Sequence, residues 1–149
     1  TVSGATVENA PADADSGLTY EEGTWTPTFA GDGSVGSSAT VQRHTATYTK
    51  IGRQVTVSCY ISWTDQGSYS GNTTITGLPF TCLSTLHGIY IAYMEEIDFT
   101  TSRQLIGYVS GSNVALFEAV DDGLPIALPI SAFDDAANYF SFTATYQTV

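Results

Sequence analysis

The sequence predicts an all-β fold, an antiparallel β-sandwich of about eight or nine short strands. Several segments alternate apolar and polar residues with the period of two that a half-buried strand requires. These segments recur about every 8–12 residues, which is the spacing of strands in sandwiches and barrels. A long helix is not supported by any segment, and one helical turn around 134–137 is the most that the pattern allows.

The chain divides into an arm and one domain. Residues 1–19 have no periodic apolar face, so we expect a flexible N-terminal arm or linker. Residues 20–149 form the predicted sandwich domain. Within it, strands are expected at 25–29, 44–51, 53–63, 72–78, 88–94, 103–109, 113–120, 126–130 and 139–146.

Segment 53–63 has the clearest alternation. We expect Trp63 to continue the core face of this strand and Tyr60 to lie on the opposite face. Segment 139–146 repeats the pattern, with Phe140 and Phe142 on its apolar face. A half-buried antiparallel sheet accounts for both segments.

Segment 88–94 is apolar on both faces, so we expect this strand to lie between two layers. Its two predicted faces are Ile89, Ile91 and Tyr93 on one side and Tyr90, Ala92 and Met94 on the other. The next two segments, 103–109 and 113–120, are joined by Ser110-Gly111-Ser112 and form a predicted hairpin.

Composition and charge exclude two classes of partner. Only 13% of the residues are charged, and 4 Lys and Arg against 15 Asp and Glu give a net charge of −11. A chain this acidic is not expected to bind nucleic acid or an anionic membrane surface. Membrane insertion is not expected either, because no apolar run reaches the roughly 18 residues of a membrane span.

The loop after 53–63 has the chemistry of a sugar-binding loop. It places Asp65, Gln66 and Asn72 beside Tyr69. Aromatic rings stack on the apolar faces of sugars, while carboxylate and amide groups bond to sugar hydroxyls. These four residues are the first predicted carbohydrate site.

A second candidate loop contains Asp121 and Asp122, which could contact a sugar through a bridging cation. Clustered carboxylates can hold Ca²⁺, but the chain has no D-x-D-x-D-G loop, and a solvated acidic rim is the simpler interpretation. We therefore expect no cofactor, with Ca²⁺ as the alternative. His44 and His87 are not accompanied by a G-x-S-x-G elbow, and no enzymatic activity is predicted.

Residues 20–80 carry a series of short motifs. They are Glu21-Glu22-Gly23-Thr24-Trp25-Thr26-Pro27, Tyr48-Thr49-Lys50-Ile51-Gly52 and Ile75-Thr76-Gly77-Leu78-Pro79-Phe80. In combination they resemble the C-terminal domains of bacteriophage tail fibres and tailspikes. The resemblance covers roughly the first half of the predicted domain.

This resemblance implies a jelly-roll-like sandwich that forms a homotrimer at the distal tip of a tail fibre on the virion. It implies host attachment through binding of a bacterial surface polysaccharide. The alternative is a module that trimerises the fibre and registers its chains during folding without a ligand. A polysaccharide hydrolase is the least favoured function, because such activity usually resides in an upstream β-helix and no catalytic residue can be carried over.

Overall fold

Ten β-strands and one short helical turn make up the described part of the chain. The computed structural model describes residues 19–33, 40–65, 68–84, 86–100, 104–133 and 138–149. Residues 1–18 of the predicted arm and the predicted turn at 134–137 lie outside these ranges. The strands are β1 (Tyr20–Thr24), β2 (Thr28–Gly31), β3 (Thr40–Ile51), β4 (Gln54–Asp65), β5 (Thr73–Thr76), β6 (His87–Glu95), β7 (Leu105–Ser110), β8 (Asn113–Glu118), β9 (Ile126–Ala127) and β10 (Asn138–Gln147), and a 3-10 turn spans Ile130–Ala132.

The strands form one antiparallel sheet, which curls so that two halves face each other. Its order is β1-β3-β4-β10-β6-β7-β8-β5-β2, with β9 beside β8. The first half comprises β1, β3, β4, β10 and most of β6, and the second half comprises β7, β8, β5, β2 and β9. Strand β6 joins the halves, because residues 89–95 pair with β10 and residues 87–88 pair with β7. The predicted all-β antiparallel fold is confirmed.

The core lies between the two halves. Phe29 of β2 stacks on Trp63 of β4, with ring centroids 4.3 Å apart and ring planes at 20°. Phe133, which follows the 3-10 turn, lies 4.8 Å from Phe29 and 5.3 Å from Trp63. All three side chains are almost completely buried. The interpretation of Trp63 as a core residue is therefore confirmed.

The strand predicted at 25–29 begins only at Thr28, and the strand before it, β1, was not predicted. Strand β1 ends at Thr24 and pairs with β3 in the first half, whereas β2 begins at Thr28 and pairs with β5 in the second half. Between them lies Pro27, which has no N–H to donate to a strand ladder. The chain crosses from one half to the other at this point, and β1, before the crossing, is one strand more than expected.

Strand β6 differs from its prediction in two respects. Its second face is not covered in the single chain, where Tyr90 is 72% exposed. In addition, Ser141 pairs with Tyr93 while Phe142 pairs with Ile91, so one extra residue forms a β-bulge. The bulge shifts the alternation by one, and Tyr93 lies on the face of Tyr90 rather than on the predicted face of Ile91.

The one helical element in the described ranges is the 3-10 turn at Ile130–Ala132. In these ranges, no helix has the length and apolar character needed to cross a membrane.

Candidate functional site

Hydrogen bonds between Asp32 and Asn72 connect the end of β2 to the start of β5. The Asn72 backbone N–H donates to Asp32 Oδ1 at 2.6 Å, and Asn72 Nδ2 donates to Asp32 Oδ2 at 3.0 Å. The Asp32 N–H donates in return to the Asn72 carbonyl at 3.0 Å. The backbone hydrogen bond from Asn72 is the main reason that the pKa of Asp32 lies below its ordinary value. Asn72, predicted as a sugar contact, therefore serves first to join two loops.

A third segment completes this junction. The Ile130 N–H donates to the Gly71 carbonyl at 2.9 Å, and the Gly33 N–H donates to the Ser70 carbonyl at 2.9 Å. Gly71 has a φ of 88°, and a Cβ atom there would lie 2.3 Å from Asp32 Oδ1. Only glycine lets the carboxylate approach this closely, so the junction depends on the residue before Asn72 as well.

The other residues of the first predicted carbohydrate loop do not take part in the hydrogen bonds between Asp32 and Asn72. Tyr69 is half-buried and packs against the hydrophobic core. Asp65 is the last residue of β4, and Gln66 lies outside the described ranges. The sugar site predicted in this loop stays a prediction, and its Tyr69 also has a structural contact.

The second predicted loop forms an exposed turn between β8 and β9. Asp121 and Asp122 are both exposed there, and Asp122 has a φ of 56°. The turn lies at the same end of the second half as Asn72, because β5 runs antiparallel to β8 and pairs Thr74 with Ala115. Among the described residues, no three His, Cys, Asp or Glu side chains converge as they would around a metal ion.

Glu118 is a buried carboxylate that the sequence analysis missed. It is 1% exposed, and it accepts hydrogen bonds from the Thr100 N–H and from Thr100 Oγ1, the latter at 2.9 Å. The alternation of 113–120 places Glu118 on the same face as Val114 and Leu116, which was the available signal. The carboxylate fixes the segment that leads into β7.

Asp32→Ala is expected to lower the melting temperature by about 2–4 °C, because charged hydrogen bonds to Asn72 are lost. The lowered pKa of Asp32 also predicts the pH dependence. Its stabilisation is present above the ordinary carboxyl pKa and is lost as the pH falls through the lower, folded-state value. Thermal melts from pH 7 to pH 2 should therefore show the parent and the variant converging at low pH. A difference in melting temperature between parent and variant that stayed constant from pH 7 to pH 2 would show that the Asp32 carboxylate is not the source of the stabilisation.

The outer face of the first half carries a group of tyrosines. Ser141 of β10 pairs with Tyr60 of β4 on one side and with Tyr93 of β6 on the other, so these side chains form one outward row. In the next row, Tyr139 pairs with Glu95. We call Tyr60, Tyr93, Tyr139 and Glu95 the tyrosine cluster.

Two contacts order the tyrosine cluster. The rings of Tyr60 and Tyr139 are nearly parallel, at 17°, with centroids 6.1 Å apart. The Tyr93 hydroxyl donates to Glu95 Oε2 at 3.1 Å, and this hydrogen bond to a carboxylate raises the pKa of Tyr93. The alternation of 53–63 predicts Tyr60 opposite the core, and its pairing with Ser141 confirms this. The bulge in β6 explains why the alternation did not bring Tyr93 to the same face.

A solved structure has a similar fold. The Dettilon tailspike protein (gp208) matches this chain with a TM-score of 0.67 and 15% sequence identity. The fold is similar to part of a tailspike. The match covers 86% of this chain and 24% of that protein, so the chain spans about a quarter of the tailspike's length. No protein-family model matches the sequence, and neither does any curated protein.

The fold comparison and the sequence motifs are separate observations. The motifs lie within residues 20–80, whereas the structural match covers 86% of the chain.

Proposed function

We propose that this chain is a domain of a phage tail fibre or tailspike that attaches the virion to its host by binding a bacterial surface glycan. The observation that carries the proposal is the fold similarity to a tailspike over 86% of the chain. The tail-fibre motifs of residues 20–80 support the same assignment from the sequence. In this proposal the domain lies at the distal tip of the fibre, where it would meet the host surface.

The surface chemistry supports a glycan as the ligand. The chain has 4 Lys and Arg among 149 residues, so its binding cannot depend on basic patches. Its exposed aromatic side chains include Tyr90 and Tyr93. Aromatic rings with nearby hydroxyl and carboxylate groups are suited to a ligand made of sugar rings.

The proposal includes a homotrimer. Large apolar side chains outside the tyrosine cluster are exposed in the single chain, with Leu86 at 70% and Leu124 at 88%. A threefold assembly would display the same glycan site three times. If each site binds with an affinity near 1 mM, about −4 kcal/mol, threefold display would raise the avidity by a factor of about 10² or more.

Two measurements on the full chain test the proposed function. Light scattering at micromolar concentration should give three times the chain mass, and an array of bacterial O-antigen and capsular oligosaccharides should reveal bound glycans. A monomer mass would remove the trimer from the proposal. A trimer that binds no glycan would instead favour the alternative, a trimerisation module.

We propose no enzymatic step in attachment. A polysaccharide that binds the chain should therefore keep its length during prolonged incubation, as measured by size-exclusion chromatography. Progressive shortening would show that the chain is a depolymerase.

A further inference from the structure

We propose that the tyrosine cluster on the outer face of the first half binds a short, neutral oligosaccharide. This inference rests on the proposed function and gives it a site other than the predicted loops. Tyr60, Ser141 and Tyr93 form one outward row across β4, β10 and β6, and Tyr139 and Glu95 lie in the next row. Neighbouring strands are about 4.8 Å apart, so the rows span roughly 10 Å. This width accommodates a short run of sugar residues.

The β-bulge in β6 creates the cluster. Strict alternation would put Tyr90 and Tyr93 on opposite faces, because they are three residues apart. The extra residue lets Tyr90 pair with Thr143 and Tyr93 pair with Ser141, both on the outer face. Bulges recur at functional sites where they re-aim a side chain, and this one moves an aromatic ring from the core face to solvent.

The tyrosine rings remain accessible to a ligand. Tyr93 is 51% exposed. The centroids of Tyr60 and Tyr139 are 6.1 Å apart although the rings are nearly parallel. Two rings stacked directly would be separated by only about 3.5–4 Å, so these rings are offset, and neither fully covers the face of the other. Together with the exposed ring of Tyr93, the uncovered parts of these half-buried rings present aromatic surface on which a sugar can stack.

Glu95 supplies a hydrogen-bond acceptor at the edge of this surface. The Tyr93 hydroxyl donates to Glu95 Oε2, which orients the exposed carboxylate beside Tyr139. A carboxylate held in this way accepts hydrogen bonds from ligand hydroxyls, and such charge-assisted bonds are stronger than neutral ones. The cluster therefore combines aromatic stacking with a fixed acceptor.

The negative charge of the cluster and of the chain favours a neutral ligand over an anionic one. The cluster contains one carboxylate and hydroxyl-bearing side chains, and its chain has a net charge of −11. An anionic glycan would be repelled by Glu95 at contact distance, where salt screens least. A neutral oligosaccharide offers many hydroxyl donors to Glu95 and is not repelled by its negative charge.

Titration of the full-length parent and variants with array-identified neutral and acidic O-antigen oligosaccharides tests this site. Tyr93→Ala should weaken binding of the neutral oligosaccharides about tenfold, as expected for the loss of one aromatic contact and of the hydrogen bond that orients Glu95. Glu95→Gln keeps the shape of the side chain but removes its charge, and we expect it to weaken binding less.

Tyr20→Ala is the matched control. Tyr20 is 57% exposed, and its hydroxyl donates to Glu22 two residues along the chain, as Tyr93 does to Glu95. Tyr20 lies on β1 at the far edge of the same half, so its loss should leave binding unchanged.

Three outcomes would overturn the inference. If Tyr93→Ala binds as well as the parent, the glycan site lies elsewhere while the proposed function stands. If Tyr93→Ala loses the oligomer in light scattering, the cluster is a contact between copies of the chain. If the parent binds no glycan on the array, the proposed function and this site fail together.

Discussion

Trp63→Ala is expected to lower the free energy of unfolding by about 3–5 kcal/mol. Trp63 is 1% exposed and joins the two halves of the sheet, since its ring stacks on Phe29 of β2 and contacts Phe133. Removing the ring leaves a cavity between halves that cannot collapse without moving whole strands. The loss includes aromatic contacts as well as buried area.

Trp63→Phe provides the control for this prediction. Among the described residues Trp63 Nε1 has no hydrogen-bond partner, so phenylalanine removes volume without breaking a hydrogen bond. We expect Trp63→Phe to lower the free energy of unfolding by less than half as much as Trp63→Ala does. Urea unfolding at one fixed protein concentration measures both variants. Equal midpoints for Trp63→Ala and the parent would show that the two halves are not held together at this residue.

Gly77→Ala is expected to destabilise the chain by about 2–5 kcal/mol. Gly77 follows β5 with a φ of 89°, and a Cβ atom there would lie 2.3 Å from the Thr26 carbonyl oxygen. The backbone would be strained, and the crossing between β1 and β2 would have to move away. Both costs arise in the folded state.

Gly88→Ala is the comparison for Gly77→Ala. Gly88 lies in β6, and a Cβ atom there would meet no atom within 4 Å among the described residues. Its replacement should be neutral or slightly stabilising, because alanine restricts the unfolded chain without a clash. The melting temperatures of the two variants should therefore change in opposite directions, or by very different amounts, relative to the parent. Similar losses would contradict the importance of the close approach at Gly77.

Local pattern was sufficient to predict much of the first half of the sheet. From Val55 to Trp63 in β4 and from Phe140 to Tyr146 in β10, every second side chain is apolar and buried. The hairpin between β7 and β8 also follows from local sequence, since Ser110 pairs with Asn113 across a two-residue turn. In these elements the residues that decide the structure are neighbours in the chain.

Features that depend on long-range pairing could not be predicted in this way. Asp32 and Asn72 are forty positions apart, so no local pattern connects them. The bulge in β6 depends on its pairing with β10, so the alternation of 88–94 could not reveal it. The tyrosine cluster combines three strands whose order local alternation does not give.

The position of β10 also affects how the chain is made. Although β10 is the last strand, it lies between β4 and β6 and pairs with β4 along its whole length. While a ribosome is still making residues 138–149, β4 and β6 each present unpaired backbone groups to any neighbouring nascent chain. The first half can close only after synthesis has passed β10, and its long-range pairing makes that closure slow. Yield in a host cell should therefore depend on chaperones and on the crowding of nascent chains as well as on the stability of the finished fold.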